Sequence, residues 1–255
     1  KVLQVILSAT GIKKAKRDLK KWRAAVKKVK SLKKEIKVAI VGKYYASDQF
    51  SLADSYLSVV EAVKHSAWYL GLKPRIVWIN SEELEEGENP QKLFQDIKAI
   101  IVPGGFGSRG VEGKIAAIRY ARENKIPFLG LCYGMQLATV EFSRNVLDFK
   151  KANTTEIDPE TPFPVIHLMS EQEKKLLAKD YGGTMRLGTW SCWLRPKTCS
   201  TYFYQKFGWV GKRGKKIIQE RHRHRYEFNN QYRKEFEKKG MVVAGTTQDS
   251  KLVEI

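Results

Sequence analysis

Apolar and polar positions along this chain follow two periods in turn, one of strands and one of helices. Val38 to Val41 is a short continuous apolar run, the pattern of a strand buried on both faces. Leu57, Val60, Val63, Ala67 and Leu70 then recur at spacings of three and four, which predicts one helix face. Arg75 to Ile79 predicts a second strand, Gln91 to Phe94 a short helix, and Ala99 to Val102 a third strand. A helix over Gly113–Glu123 precedes the apolar run Pro127 to Leu131, a short buried strand, and Met135 to Phe142 predicts the helix after it. This order implies an α/β fold, a doubly wound, mainly parallel sheet with helices on both faces. After Asn145 the pattern loosens into shorter, mixed pieces of antiparallel character. No internal repeat or low-complexity linker stands out.

The first 36 residues look different. Ile12, Ala15, Leu19, Trp22, Val26 and Val29 form one apolar stripe on a strongly basic helix, an appendage to the domain that begins near Lys37. Residues 1–37 carry 14 Lys and Arg against only Asp18 and Glu35, and residues 190–230 carry 10 against Glu220 and Glu227. These two blocks account for the whole net charge of +20 and suggest anionic partners such as nucleotides, phosphates, an acidic domain face or nucleic acid.

At 255 residues the chain is long enough for one large domain with an appendage, and 42% hydrophobic content supports a packed core. No stretch approaches the ~20 apolar residues of a membrane span, and Lys1–Leu7 lacks the cleavage pattern of a signal peptide. Cys132, Cys192 and Cys199 are an odd count without metal-ligand spacing, so a reducing, cytoplasmic setting is expected.

Candidate chemistry centres on Gly130-Leu131-Cys132-Tyr133-Gly134. A strand runs into the cysteine and a helix leaves it, the thiol counterpart of a G-x-S-x-G nucleophile elbow. Gly130 and Gly134 permit the tight turn, and a helix N-terminus favours a thiolate. A buried, inert cysteine is the alternative. Upstream, the Ala99 strand ends in Pro103-Gly104-Gly105-Phe106-Gly107, whose backbone N–H groups suit a developing oxyanion, although a plain glycine-rich turn has the same composition. Successive βα loops of a parallel sheet meet at its carboxyl edge, where such sheets bind ligands.

P-G-G-F-G and G-L-C-Y-G-M-Q are followed by Ala152-Asn153-Thr154-Thr155-Glu156, Gly182-Gly183-Thr184-Met185-Arg186-Leu187-Gly188 and Glu220-Arg221-His222-Arg223-His224-Arg225-Tyr226-Glu227. In this order they resemble the glutaminase part of the CTP synthases, class I (triad) glutamine amidotransferases. The likeness runs from about Ile36 to Ile255. It implies a flavodoxin-like amidotransferase domain over 37–255 with its C-terminal part missing, and a basic interdomain connector helix over 1–36. It also implies glutamine hydrolysis through a cysteine thioester, the ammonia serving ATP-dependent amination of UTP to CTP. Cys132 would be the nucleophile, with Gly104, Gly105 and Tyr133 at the oxyanion. Gly105, Tyr133, Gly134, Met135, Gln136, Glu156 and Arg225 would bind L-glutamine, Glu156 and Arg225 holding its α-amino and α-carboxylate groups. No cofactor is implied in this domain. ATP and Mg²⁺ belong to a synthase domain, consistent with the lack of a G-x-x-x-x-G-K-[ST] loop here. The resemblance further implies a homo-oligomer, a tetramer in the family, and GTP as an effector, with neither membrane nor nucleic acid as partner. Another class I amidotransferase, a γ-glutamyl hydrolase, or a non-catalytic basic module on this fold are the alternatives.

The sequence departs from the family in two places. The base of such enzymes comes from a C-terminal His-Pro-Glu string, and no histidine follows His224 in this sequence. The chain as given is therefore expected to be nearly inactive alone, with His222 and His224 not expected to substitute and His65 and His167 expected as structural residues. Between residues 189 and 216, Trp190, Trp193, Tyr202, Phe203, Tyr204, Phe207 and Trp209 interleave with Lys and Arg. The favoured expectation is a hairpin with one face in the core, against a base-stacking surface.

Overall fold

The computed structural model describes residues 2–11, 18–43, 56–168, 185–211, 213–214 and 216–255. Four strands, β1 (Glu35–Gly42), β2 (Lys73–Asn80), β3 (Ala99–Val102) and β4 (Phe128–Gly130), form a parallel sheet in the order β2-β1-β3-β4. Opposite positions such as Ala39 and Ile100, or Ile100 and Phe128, fix the register. Alternate residues of β1 face opposite ways, and both sets are buried. Val38 and Ile40 meet Val59, Val60 and Val63 of α3 (Leu57–Tyr69). Ala39 and Val41 face Ile115 and Ile118 of α6 (Val111–Glu123) and Leu137 and Val140 of α7 (Tyr133–Asn145). Burial on both faces is why the run 38–41 carries no polar alternation.

Two short helices follow β2, each opened by an asparagine cap. Asn80 accepts from the Glu82 N–H at 3.1 Å to start α4 (Ser81–Glu85), and Asn89 accepts from Gln91 N–H at 2.9 Å to start α5 (Pro90–Leu93). Gly113 lets α6 lie against α4, because a Cβ there would stand 1.7 Å from the Ser81 carbonyl oxygen.

The second half adds two three-stranded sheets. β5 (Ala152–Thr154) runs parallel to β6 (Phe163–Leu168), which pairs antiparallel with β9 (Tyr226–Phe228). β7 (Arg186–Leu194) pairs antiparallel with β8 (Ile217–His224) and with β10 (Gly245–Thr246). A last helix, α9 (Arg233–Lys238), buries Phe236 in the main core.

Several expectations are corrected. The Pro127–Leu131 run is an edge strand rather than a buried one, and Leu129 is 51% exposed. A hairpin pairing of β7 with β8 exists, but an eight-residue helix, α8 (Cys199–Lys206), interrupts it, capped by Thr198. Most aromatics of this stretch stay out of the core: Tyr202, Phe203, Phe207 and Trp209 are exposed, and of the helix's aromatics Tyr204 packs against the small core of Cys192, Leu194, Val210 and Ile218. The described residues of the N-terminal segment hold two helices, α1 (Val2–Thr10) and α2 (Lys20–Lys30), and α2 buries none of its residues. Ile12 and Ala15 of the expected stripe, and Gly182, Gly183 and Thr184, lie outside the described residues. His65 is exposed beside Glu61 at 3.7 Å, and His167 pairs across the strands with Glu227. Among the described residues, no helix is long and apolar enough to cross a membrane.

Candidate active site

Cys132 is the turn residue between β4 and α7, with φ 52° and ψ −106°. A non-glycine residue rarely adopts that conformation, which costs on the order of 1–3 kcal/mol and needs tight surroundings to persist. The two flanking glycines supply them. A Cβ on Gly134 would lie 1.9 Å from the Val102 carbonyl oxygen, and one on Gly130 would lie 2.6 Å from Gly134 itself. Strand β3, strand β4 and the first turn of α7 thus close on one another with only hydrogen atoms between them, and the sulfur is pushed outward.

The loop after β3 faces that sulfur. Gly104 packs on it, since a Cβ there would stand 3.6 Å from the Cys132 Cβ. Three side chains pin the rest of the loop. Glu156 accepts from the Gly107 N–H at 2.9 Å, the buried Tyr133 hydroxyl donates to the Gly107 carbonyl at 2.7 Å, and the Lys43 ammonium donates to the Phe106 carbonyl. The opposite wall is the end of β8 and the start of β9: the Cys132 thiol lies 3.7 Å from the Arg223 carbonyl oxygen, and Gln136 donates to the Tyr226 carbonyl at 3.0 Å. A cavity of about 110 Å³ results, lined by Gly105, Phe106, Cys132, Gln136, Glu156, His224, Arg225 and Tyr226. The structure therefore brings Gly105, Cys132, Gln136, Glu156 and Arg225 together around one space. Met135 lines an adjoining cavity of about 570 Å³, which also reaches Cys132, His222, Glu254 and Ile255. Gly134 is turned towards β3 rather than into either space.

Other influences on the thiol oppose that of the helix terminus. Burial pushes its pKa up, as do the carboxylates of Glu156 and Glu227, and only the Tyr133 backbone N–H pulls it down. Tyr133 itself is driven well above the usual phenol range, first by burial and then by Glu156.

Beside the thiol lies a network that periodicity alone hints at. In β8, Glu220, His222 and His224 point inward and Arg221 and Arg223 outward, the period-two signal of a half-buried strand. His224 bonds Glu227 at 2.8 Å, His222 bonds Glu254, and Arg186 lies between Glu227 and Glu254 with all three essentially buried. The Arg186 guanidinium also stacks 4.6 Å above the Trp190 ring. Burial favours neutral His222, but the hydrogen bond and charge of Glu254 outweigh it and raise its pKa. For Glu254 burial acts upward and is overcome by His222 and Arg186, so its pKa falls. Arg186 and Glu227, both missed as paired groups, lie about 40 residues apart and meet only through strand pairing. Lys114, on α6 below the loop, carried no sequence signal beyond a polar residue on an apolar face.

Comparison with known proteins decides the family. Residues 51–255 match the family model described as glutamine amidotransferase class-I. The chain belongs to the class I glutamine amidotransferase family. Among members of this family it is 46% identical over 252 residues to the CTP synthase of Bacillus cytotoxicus, covering 99% of this chain and 44% of that one. It is 50% identical over 251 residues to the CTP synthase of Pelotomaculum thermopropionicum, covering 98% and 43%. The chain thus spans less than half the length of these curated relatives. The Trypanosoma brucei CTPS glutaminase domain with bound acivicin superposes with a TM-score of 0.74 at 35% identity, over 86% of this chain and 79% of that one. These likenesses identify a class I amidotransferase domain of the CTP synthase glutaminase type.

Proposed function

We propose that Cys132 hydrolyses L-glutamine through a thioester. The Sγ attacks the carboxamide carbon, its proton passing to a base, and the N–H groups of Gly105 and Tyr133 receive the tetrahedral oxyanion. The C–N bond then breaks as the nitrogen is protonated, ammonia leaves, and water releases glutamate from the sulfur. Glu156 takes the α-ammonium and Arg225 the α-carboxylate, with Gln136 and Met135 bordering the substrate's path and Gly104 and Gly134 keeping the elbow closed.

One observation carries this reading: a strained cysteine, φ 52°, opens onto a cavity that also holds a carboxylate and a guanidinium. The thiol proton must leave as the C–S bond forms, so a base is required, and burial of the sulfur, which raises its pKa, adds to that need. His222 is not free to serve, since both its ring nitrogens are engaged, by the Glu220 carbonyl and the Glu254 carboxylate. We assign the base to a His-Pro-Glu segment of the complete enzyme, in keeping with the family resemblance. Val253, Glu254 and Ile255 border the same cavity as Cys132, which supports delivery of such a segment to the thiol.

On this proposal the ammonia serves a synthase half that forms CTP from UTP with ATP and Mg²⁺, in an oligomer responsive to GTP and in a cytoplasmic setting. Mg²⁺ is assigned to that other half in keeping with the family resemblance.

A glutamine-like chloroketone tests the nucleophile. Generic alkylation does not discriminate, because Cys199 is also exposed and opens α8. The chloroketone is expected to modify Cys132 alone, with free glutamine protecting, and Cys132→Ser to abolish the adduct. Modification spread over Cys199, without protection by glutamine, would sink the assignment.

A further inference from the structure

One charged group beside the site is unused by the mechanism above. Lys114 is completely buried, and among the described residues its ammonium has no hydrogen-bond partner. It lies 5.3 Å above the Tyr133 ring and 3.6 Å from the point a Gly105 Cβ would occupy, so the amine stands directly behind the loop that faces Cys132. An orphaned buried cation is costly, and such groups persist mainly where their charge has a use.

We infer that Lys114 is a positioning residue for glutamine hydrolysis: its ammonium backs Gly105 and stabilises the negative charge that develops on the far side of that loop. This inference rests on the proposed reaction. Its surroundings separate it from a merely structural lysine. The groups facing it are mostly cationic, Lys43 from the end of β1 and Arg109 from the loop, with Glu85 of α4 opposing them and Tyr133 of α7 as its apolar floor. Burial and those two cations lower its pKa to about 8, so its charge is present at neutral pH and lost above that value.

The test compares glutamine-dependent and ammonia-dependent CTP formation in the complete enzyme. Wild type is expected to lose glutamine-dependent kcat through an alkaline limb near pH 8. Lys114→Met is expected to lower kcat about tenfold at pH 7, to leave the glutamine KM within about twofold, and to lack that limb. Its deficit should therefore shrink above pH 9, and ammonia-dependent synthesis should be unchanged. Lys114→Gln serves as the second variant if the methionine variant misfolds. A wild-type profile without the limb, a variant equal to wild type, or a deficit independent of pH would each overturn the inference. Cys132→Ser separates the two claims: if it keeps glutamine-dependent activity the proposed reaction falls, whereas if it is inactive and Lys114→Met is normal only the lysine's role falls.

Discussion

At the scale of single residues, chemistry here comes from conformation and partners more than from residue type. Cys132 was legible because its signal is local: two glycines and a strand-to-helix switch specify the elbow within five positions. Its protonation was not legible, since the raised pKa comes from burial and from Glu156 and Glu227, which folding delivers from 24 and 95 positions away. Arg225 illustrates the opposite case. It is one arginine in a string of basic residues, and only its place on the cavity wall with Glu156 and Gln136 sets it apart from Arg221 and Arg223, which point outward. Arg225→Ala in the complete enzyme should remove a charge-assisted contact of ~1.5–3 kcal/mol and raise the glutamine KM roughly 10- to 100-fold. Ammonia-dependent synthesis should be untouched. An unchanged KM would show that another group holds the α-carboxylate.

At the scale of elements, strands β1 and β3 were legible because burial on both faces leaves a continuous apolar run. The edge position of β4 was not, since being an edge depends on which strands pair, and three residues of apolar sequence look alike in either place. Helix α8 was hidden for another reason. Its Tyr-Phe-Tyr run favours a strand on propensity, and the Thr198 cap overrides that preference locally. What holds the site together at this scale is the contact of α7 with β3. Gly134→Ala would press a methyl group into the Val102 carbonyl, and either the helix or the strand must move. A cost of ~1–3 kcal/mol or more is expected, a fall in Tm of about 5 °C, with loss of chloroketone labelling as the elbow opens. Gly105→Ala is the control for stability, because its Cβ meets Lys114 and Tyr133 at an ordinary 3.6 Å. Equal melting temperatures for the two variants would refute the close-packing account.

At the scale of the whole molecule, the parallel sheet carries the nucleophile and the second-half sheets carry the wall opposite it. The cavity at their junction runs from Cys132 past Met135 to Glu254 and Ile255. Both histidines on that wall are committed, His222 to Glu254 and His224 to Glu227, and both carboxylates share Arg186. Taking either imidazole as the base would pull it out of a buried ion network, and leaving the partner charges unpaired there is strongly unfavourable. The two halves of the reaction should then separate. A chloroketone carries its own leaving group, so thiolate alone suffices, and labelling of the 255-residue chain should proceed at a rate that rises with pH as the high-pKa thiol ionises. Amide cleavage also needs a proton on the departing nitrogen, and the chain as given should turn glutamine over very slowly. Appending a segment that carries His-Pro-Glu after Ile255 should raise turnover by roughly 10³- to 10⁴-fold without changing the labelled residue. Ammonia release by the unextended chain at the rate of the extended one would instead make His224, which borders the same cavity as Cys132, the base of choice, and His224→Gln would have to abolish it.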